Sequence, residues 1–303
     1  MTTAPQTARW RRVVALGALT ALTVTLAACS SQPSERAAAD GDGNGDTVSS
    51  TPLKVYATPV PQGEILDFVQ ELADETGSGL KLDITASQQG LDSNELLANG
   101  DIDATLTQHV PYFTSWEAEH EDVTNLVNPV TVLLNVFGLY SDKYEKASDI
   151  PDGSKILVPN EQTNLPRALF ILQDQGLITL DHPESDGSAE AVSLDESDIT
   201  DNPKNLQFVP TDTVLRAQSL PDVAASFING DIALSNGIDP EKALALEKAD
   251  DNPYANVLTT RTDIEEDPRV QLLADYLTGK DVAEYIDSEY GGFVLPSQKR
   301  LED

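Results

Sequence analysis

Short apolar runs of strand character alternate with segments whose apolar residues recur every three or four positions, and this alternation restricts the chain to an α/β architecture. Leu53–Ala57 reads as a short strand. Glu64–Thr76 places Ile65, Phe68, Val69, Leu72 and Ala73 on one helical face, and Gly77 ends it. Leu80, Leu82 and Ile84 alternate as a strand does. Asn94–Asn99 predicts a helix stopped by Gly100, followed by a strand at Ile102–Leu106 and a helix over Pro111–His120. Val130–Tyr140 is long and extended, Lys155–Pro159 is a strand, and Leu165–Gln175 is a helix closed by Gly176. A strand at Leu206–Pro210, a helix at Pro221–Ile228, a strand at Ile232–Leu234 and a helix at Pro240–Ala249 continue the rhythm. Tyr254–Thr260 is extended, and helices at Asp267–Thr278 and Val282–Tyr290 close the chain. The order predicts mostly parallel sheets, with the acidic stretch His182–Asp201 as a surface loop. Asn99-Gly100-Asp101-Ile102 and Asn229-Gly230-Asp231-Ile232 echo each other, both read as helix-to-strand junctions. The echo suits two similar lobes, and equally a recurrence of good turn residues.

The N-terminal region reads as a targeting segment. Arg9, Arg11 and Arg12 precede an apolar stretch from Val13 to Ala28, too short to span a bilayer comfortably. It ends in Leu26-Ala27-Ala28-Cys29, which resembles the lipobox of bacterial lipoproteins, with Cys29 diacylated as the new N-terminus. An ordinary signal peptide beside an incidental Cys is the plainer reading. Two acyl chains hold a protein firmly, since each buried methylene adds about 0.8 kcal/mol. Cys29 is the one Cys of the chain, so lipidation leaves no thiol for disulfides, metal or nucleophilic attack. Ser30–Pro52 is rich in Ser, Gly, Asp and Ala, and cannot bury enough apolar area to offset its ordering entropy. The expected division is a signal peptide at 1–28, a lipidated flexible tether at 29–52, and a folded body of about 250 residues beyond.

The formal net charge of −32 becomes more negative still once Arg9, Arg11 and Arg12 are removed. Phosphate binding needs a basic face, so nucleic acid is excluded as a partner. The acid is dispersed, which suits a solvated surface, and no D-x-D-x-D-G loop ending in Glu points to calcium. An enzyme lacks support, because no G-x-S-x-G elbow or H-E-x-x-H helix occurs and the histidines are only His109, His120 and His182. A metal site drawn from His109, His120 and the glutamates near them fails on reach, since eleven helical residues span about 16 Å. Neither a cofactor nor a resident metal is expected.

Several stretches carry a family resemblance. Asn94–Ala104 reads NELLANGDIDA, Gln108–Tyr112 reads QHVPY, and Val158–Arg167 reads VPNEQTNLPR. Gln175–Ile178, Asn202–Leu206 and Pro253–Val257 follow in matching order. The chain thus resembles the methionine-binding, NlpA-type lipoproteins of ABC importers from about Leu53 onward. The resemblance implies a two-lobed periplasmic-binding-protein type II fold, with lobe one at 53–135 and 259–303 and lobe two at 136–258. Two crossover strands, near Val132–Tyr140 and Val257–Thr260, would join them. It further implies a monomeric, membrane-anchored extracytoplasmic protein that binds an amino acid between its lobes. The closed form would hand that solute to a permease driven by separate ATPase subunits, since no G-x-x-x-x-G-K-[ST] loop is present here.

The ligand residues implied are Arg167, Asn164, His109, Tyr112, Asn229, Gln108 and Asn160. Physical chemistry supports the first: an Arg fork pairs both oxygens of a carboxylate, and Arg167 opens a predicted helix whose free N–H groups favour an anion. A surface ion pair is the plainer role for Arg167, a helix cap for Asn164 and a helix terminator for Asn229. The chain departs from the family at Thr107 and Gly90, where aromatics that bracket the methionine thioether are expected, and at Val136, where a Pro is usual. A sulfur–aromatic contact contributes about 0.3–1.5 kcal/mol, so losing two lowers methionine affinity tenfold or more. A more polar or larger amino acid, or a lipoprotein that kept the fold and lost its ligand, are the alternatives.

Overall fold

A computed structural model describes residues 49–301 except 89, 184 and 186. The signal peptide, Cys29 and most of the tether lie outside the described residues. The chain first forms β1 (Leu53–Ala57), α1 (Glu64–Thr76), β2 (Leu82–Ala86), α2 (Ser93–Ala98), β3 (Ala104–His109), α3 (Val110–Glu119) and β4 (Leu126–Asn135). Next come β5 (Phe137–Tyr140), β6 (Lys155–Pro159), α4 (Leu165–Asp174), β7 (Thr179–Leu180), β8 (Ile199–Asp201), β9 (Gln207–Thr211), α5 (Thr213–Gln218), β10 (Ala225–Asn229), α6 (Gly230–Ser235) and β11 (Ala243–Leu246). It finishes with β12 (Asn256–Arg261), α7 (Pro268–Leu277), α8 (Lys280–Glu289) and β13 (Val294–Arg300).

Two sheets organise these elements. The first runs β13-β4-β12-β3-β1-β2 and the second β11-β5-β10-β6-β9. The chain passes from one to the other at Val136, between β4 and β5, and returns between β11 and β12. One apolar core gathers Val55, Ile65, Leu106, Val132 and Leu273 around the first sheet; another gathers Leu139, Ile156, Val158, Leu169 and Phe227 around the second. Each such aliphatic side chain contributes about 1.5–3 kcal/mol through burial. The first core also takes in Tyr140, Ile228 and Ala233.

Local chemistry sets the element ends. Asp92 caps α2 by accepting from the N–H groups of Asn94 and Glu95. Gly77 ends α1 at φ 67°, a left-handed conformation that favours glycine. Asp212 and Asp267 cap α5 and α7 in the same way as Asp92.

Several expectations need correction. The sheets are mixed rather than mostly parallel: β1 pairs in parallel with β2 and β3, but β12, β4 and β13 run antiparallel. Pro221–Ile228 is not a helix, because Ala225–Asn229 is the central strand β10. Its residues are buried on both faces, so no alternation marks it. Ile232–Leu234 lies in α6, not a strand, and Pro240–Ala249 is a short turn followed by β11. The helix formers Ala243–Leu246 are overridden by pairing with β5. β13 went unread because Pro296 interrupts it, a residue tolerated on the edge position it occupies. The stretch His182–Asp201 is more than surface: Ala191 and Leu194 are buried in the second core, and Ile199–Asp201 pairs with β7. The two Asn-Gly-Asp-Ile segments are opposite junctions, since the first follows α2 whereas the second ends β10 and begins α6. Asn229 is extended at φ −73°, ψ 147°, and terminates no helix.

Candidate ligand-binding site

Strand ends and helix starts from both sheets meet at a cavity of about 160 Å³. β3 delivers His109 at its C-terminal end, the start of α4 delivers Asn164 and Arg167, and the end of β10 delivers Asn229. The C-terminal ends of strands are the usual ligand address in open α/β sheets. The lining is polar throughout and includes Gln62, Thr107, Asn135, Asp231 and Asn256.

Arg167 is 3 % exposed. Its guanidinium lies between the rings of Phe137 and Tyr254, 4.7 and 4.8 Å from their centroids. Nε donates to Glu247 Oε2 at 3.0 Å and Nη2 to Glu247 Oε1 at 2.5 Å. Nη2 also donates to the Asn135 carbonyl at 2.8 Å, and Nη1 to Asn164 Oδ1 at 3.1 Å. The bidentate edge expected to take a ligand carboxylate is therefore occupied by a carboxylate of the chain itself. One N–H, on Nη1, remains uncommitted.

Asn164 precedes α4 without capping it. Its Oδ1 accepts instead from Arg167 and lies 3.1 Å from His109 Nε2. His109 Nδ1 accepts from the Tyr112 N–H at 3.1 Å, so the neutral ring carries its proton on Nε2 and donates to Asn164. Burial foremost, and then the positive charge of Arg167, holds the His109 pKa down at about 3. Both ring nitrogens are thus committed, and the ring packs edge-on against Tyr254.

Tyr112 lines the cavity and stays largely exposed. Asn229 accepts through Oδ1 from Arg216 Nη2 at 3.3 Å, leaving its N–H groups for the cavity. Gln108 faces inward: its amide exchanges hydrogen bonds of 2.9 and 2.7 Å with Asn94 and donates to Thr259 Oγ1. It is part of the cavity lining, with its amide engaged by these partners. Asn160 is exposed and does not line the cavity, so it stands apart from the rest of the set. Thr107 does line it, and its hydroxyl lies 3.0 Å from those of Ser93 and Thr105. Gly90, at φ 86°, has nothing within 4 Å of the place a Cβ would take and is outside the lining.

Sequence reasoning missed Glu247, Arg216, Gln62, Asn135, Asp231 and Asn256. Arg216 is fully buried, pairs with Glu161 at 3.0 Å, and has its pKa pulled below its ordinary value by burial while Glu161 works the other way. Glu247 is one acid among 51 and stands 80 residues from Arg167, so no local pattern marks the pair. Asn256 stands within Pro253–Val257 and Asp231 within Asn229-Gly230-Asp231-Ile232, and these two segments are the signals the sequence offers.

Comparisons with known proteins give the family. The profile of the NlpA lipoprotein family matches residues 53–298. The chain belongs to the NlpA lipoprotein family. Among its relatives, the methionine-binding lipoprotein MetQ of Bacillus subtilis is 35 % identical over 262 residues, covering 86 % of this chain and 93 % of that protein. The D-methionine-binding lipoprotein MetQ of Salmonella typhi is 31 % identical over 243 residues, covering 79 % and 86 %. A nutrient-binding protein from Burkholderia cenocepacia, solved with methionine bound, superposes with a TM-score of 0.73 at 31 % identity, covering 81 % of this chain and 99 % of that one. An ABC-transporter periplasmic substrate-binding protein from Coxiella burnetii gives 0.72 at 29 % identity, covering 81 % and 100 %.

In this NlpA-family member, the buried neutral His109 makes stability depend on pH. Below its ordinary value of 6.5, the unfolded chain takes up a proton that the folded chain refuses until about pH 3. Its contribution is therefore whole above pH 6.5 and lost as pH falls toward 3, at a slope of up to about 1.4 kcal/mol per unit. Urea unfolding of the wild type and His109→Gln between pH 7 and 4 is expected to differ by this slope. Parallel curves for the two would contradict it.

Proposed function

We propose that the chain is an extracytoplasmic lipoprotein, anchored to the membrane through Cys29, that binds an α-amino acid and delivers it to the permease of an ABC importer. The observation that carries the reading is the cavity between the two sheets, lined by polar residues, with Arg167, Asn164, His109 and Asn229 held around it by side-chain hydrogen bonds. The ligand carboxylate is received by the free N–H of Arg167 Nη1 and by the side-chain amides of Asn229 and Asn256, whose oxygens are engaged elsewhere. Charge-assisted bonds of this type are about twice as strong as neutral ones. Support also comes from the relatives named for methionine binding and from the Burkholderia cenocepacia protein with methionine in place.

The two lobes, one built on each sheet, close about the two chain passages, and the closed form is what the permease and its ATPase subunits read. The chain performs binding and no chemistry. His109, its one histidine at the cavity, has no ring nitrogen free to act as a base. Thr107 lines the cavity where a sulfur-binding aromatic is expected, which favours an amino acid more polar than methionine.

Isothermal titration of the twenty amino acids into the detergent-solubilised chain is expected to give one-to-one binding, with the best Kd on the order of 1 μM or tighter. Absence of heat with every one of them would sink the reading.

A further inference from the structure

We propose that Asp231 is the anionic seat of the ligand's ammonium group, with the amide oxygens of Gln62 and Asn135 as its neutral partners. This deepens the amino-acid reading above and rests on it. Three buried acceptors without a donor among the described residues belong to the lining of this one cavity: Gln62 Oε1, Asn135 Oδ1 and Asp231 Oδ1. Gln62 is 1 % exposed and Asn135 7 %. Buried acceptors are normally paired, because an unpaired one loses its hydration and gains nothing in return. Three of them around 160 Å³ call for a group that brings several N–H donors at once.

The charges narrow the choice. Arg167 is neutralised by Glu247 and Arg216 by Glu161, while His109 is neutral. Asp231 is the one carboxylate in the lining and has no salt-bridge partner among the described residues. A single negative charge beside two neutral oxygens is a poor cage for a divalent ion, and no group of three His, Cys, Asp or Glu able to hold a metal occurs among the described residues. It suits a primary ammonium, which has one positive charge and three N–H donors. Asp231 also sits in the first turn of α6, where an acid is favoured without any ligand. That explains an acid at the position and leaves its sealed, unpaired Oδ1 unexplained. Asp231 is half-buried, and burial pushes its carboxyl up to about 6 although the N–H groups of Ile232 and Asp231 and the charges of Arg167 and Arg216 pull it the other way. The ligand class is thus an amino acid with a free, unacylated α-ammonium group.

The test is calorimetry on the detergent-solubilised full chain. The probes are the tightest-binding of the twenty amino acids and its 2-hydroxy counterpart, which replaces the ammonium by a hydroxyl. The wild type is expected to prefer the amino acid by at least a hundredfold. Asp231→Asn is expected to lose at least thirtyfold on the amino acid and less than threefold on the hydroxy acid. Asn135→Leu, which removes a neutral acceptor, is expected to show the same selective loss at about tenfold, and carries the test alone if Asp231→Asn fails to melt cooperatively. Amino-acid affinity within threefold of wild type in a folded variant overturns the seat and leaves the proposed function standing. Wild-type chain that binds no amino acid overturns the proposed function, and the seat with it.

Discussion

Replacing Arg167 with Met is expected to lower the stability of the folded body by about 3–5 kcal/mol, the usual cost of leaving one member of a buried ion pair uncompensated. Glu247 would lose the Nε and Nη2 donors and keep only the Phe137 N–H, at 2.7 Å. The Asn135 carbonyl and Asn164 Oδ1 would each lose a donor as well. The rings of Phe137 and Tyr254 would still pack on the Met stem, so the loss is chiefly electrostatic. Arg167→Met/Glu247→Leu is expected to recover most of the stability, because replacing both charges with apolar groups removes the desolvation penalty. Urea unfolding reads both effects. The double variant should still bind amino acid at least tenfold more weakly, having lost the Nη1 donor. A single variant within 1 kcal/mol of wild type would show that the pair is not the buried contact described here.

The second large effect is at Gly230. A Cβ there would stand 1.9 Å from the Phe293 carbonyl oxygen and 3.1 Å from that of Val136. Both obstacles are backbone, and Phe293 O already accepts from the Val136 N–H at 3.0 Å, so neither can swing aside. Gly230→Ala must separate α6 from the start of β13 and the β4–β5 passage. Overpacking of this kind costs about 1–3 kcal/mol or more, and the upper end is expected because no flexible side chain can yield. Asn229 and Asp231 flank the glycine and line the cavity, so ligand affinity should fall together with the melting temperature. An unchanged melting temperature for Gly230→Ala would contradict the close approach.

Much of the framework was legible because its elements carry strong local signals. α1 shows an apolar face and a terminal glycine, and β6 runs over the expected Lys155–Pro159. The misread region, Pro221–Ala249, consists of short elements whose identity is set by neighbours: β10 is fixed by β5 and β6, and β11 by β5. No window of that sequence contains its partners. The site divides in the same way. Arg167, Asn164 and His109 stand in dense motifs and meet in space, whereas Glu247 and Arg216 matter only because folding buries them beside charges distant in sequence. Motif membership alone also misled: Asn160 stands in the same run as Asn164 and Arg167, yet it is exposed and outside the lining.

Native mass spectrometry of the purified full chain bears most directly on the central idea, that the space between the two sheets holds one zwitterionic solute. The expected spectrum shows a single adduct with the mass of a free amino acid, released on denaturation and reduced in Asp231→Asn. A chain that emerges bare after incubation with all twenty amino acids, or that carries a sugar or an anion lacking an amino group, would contradict it.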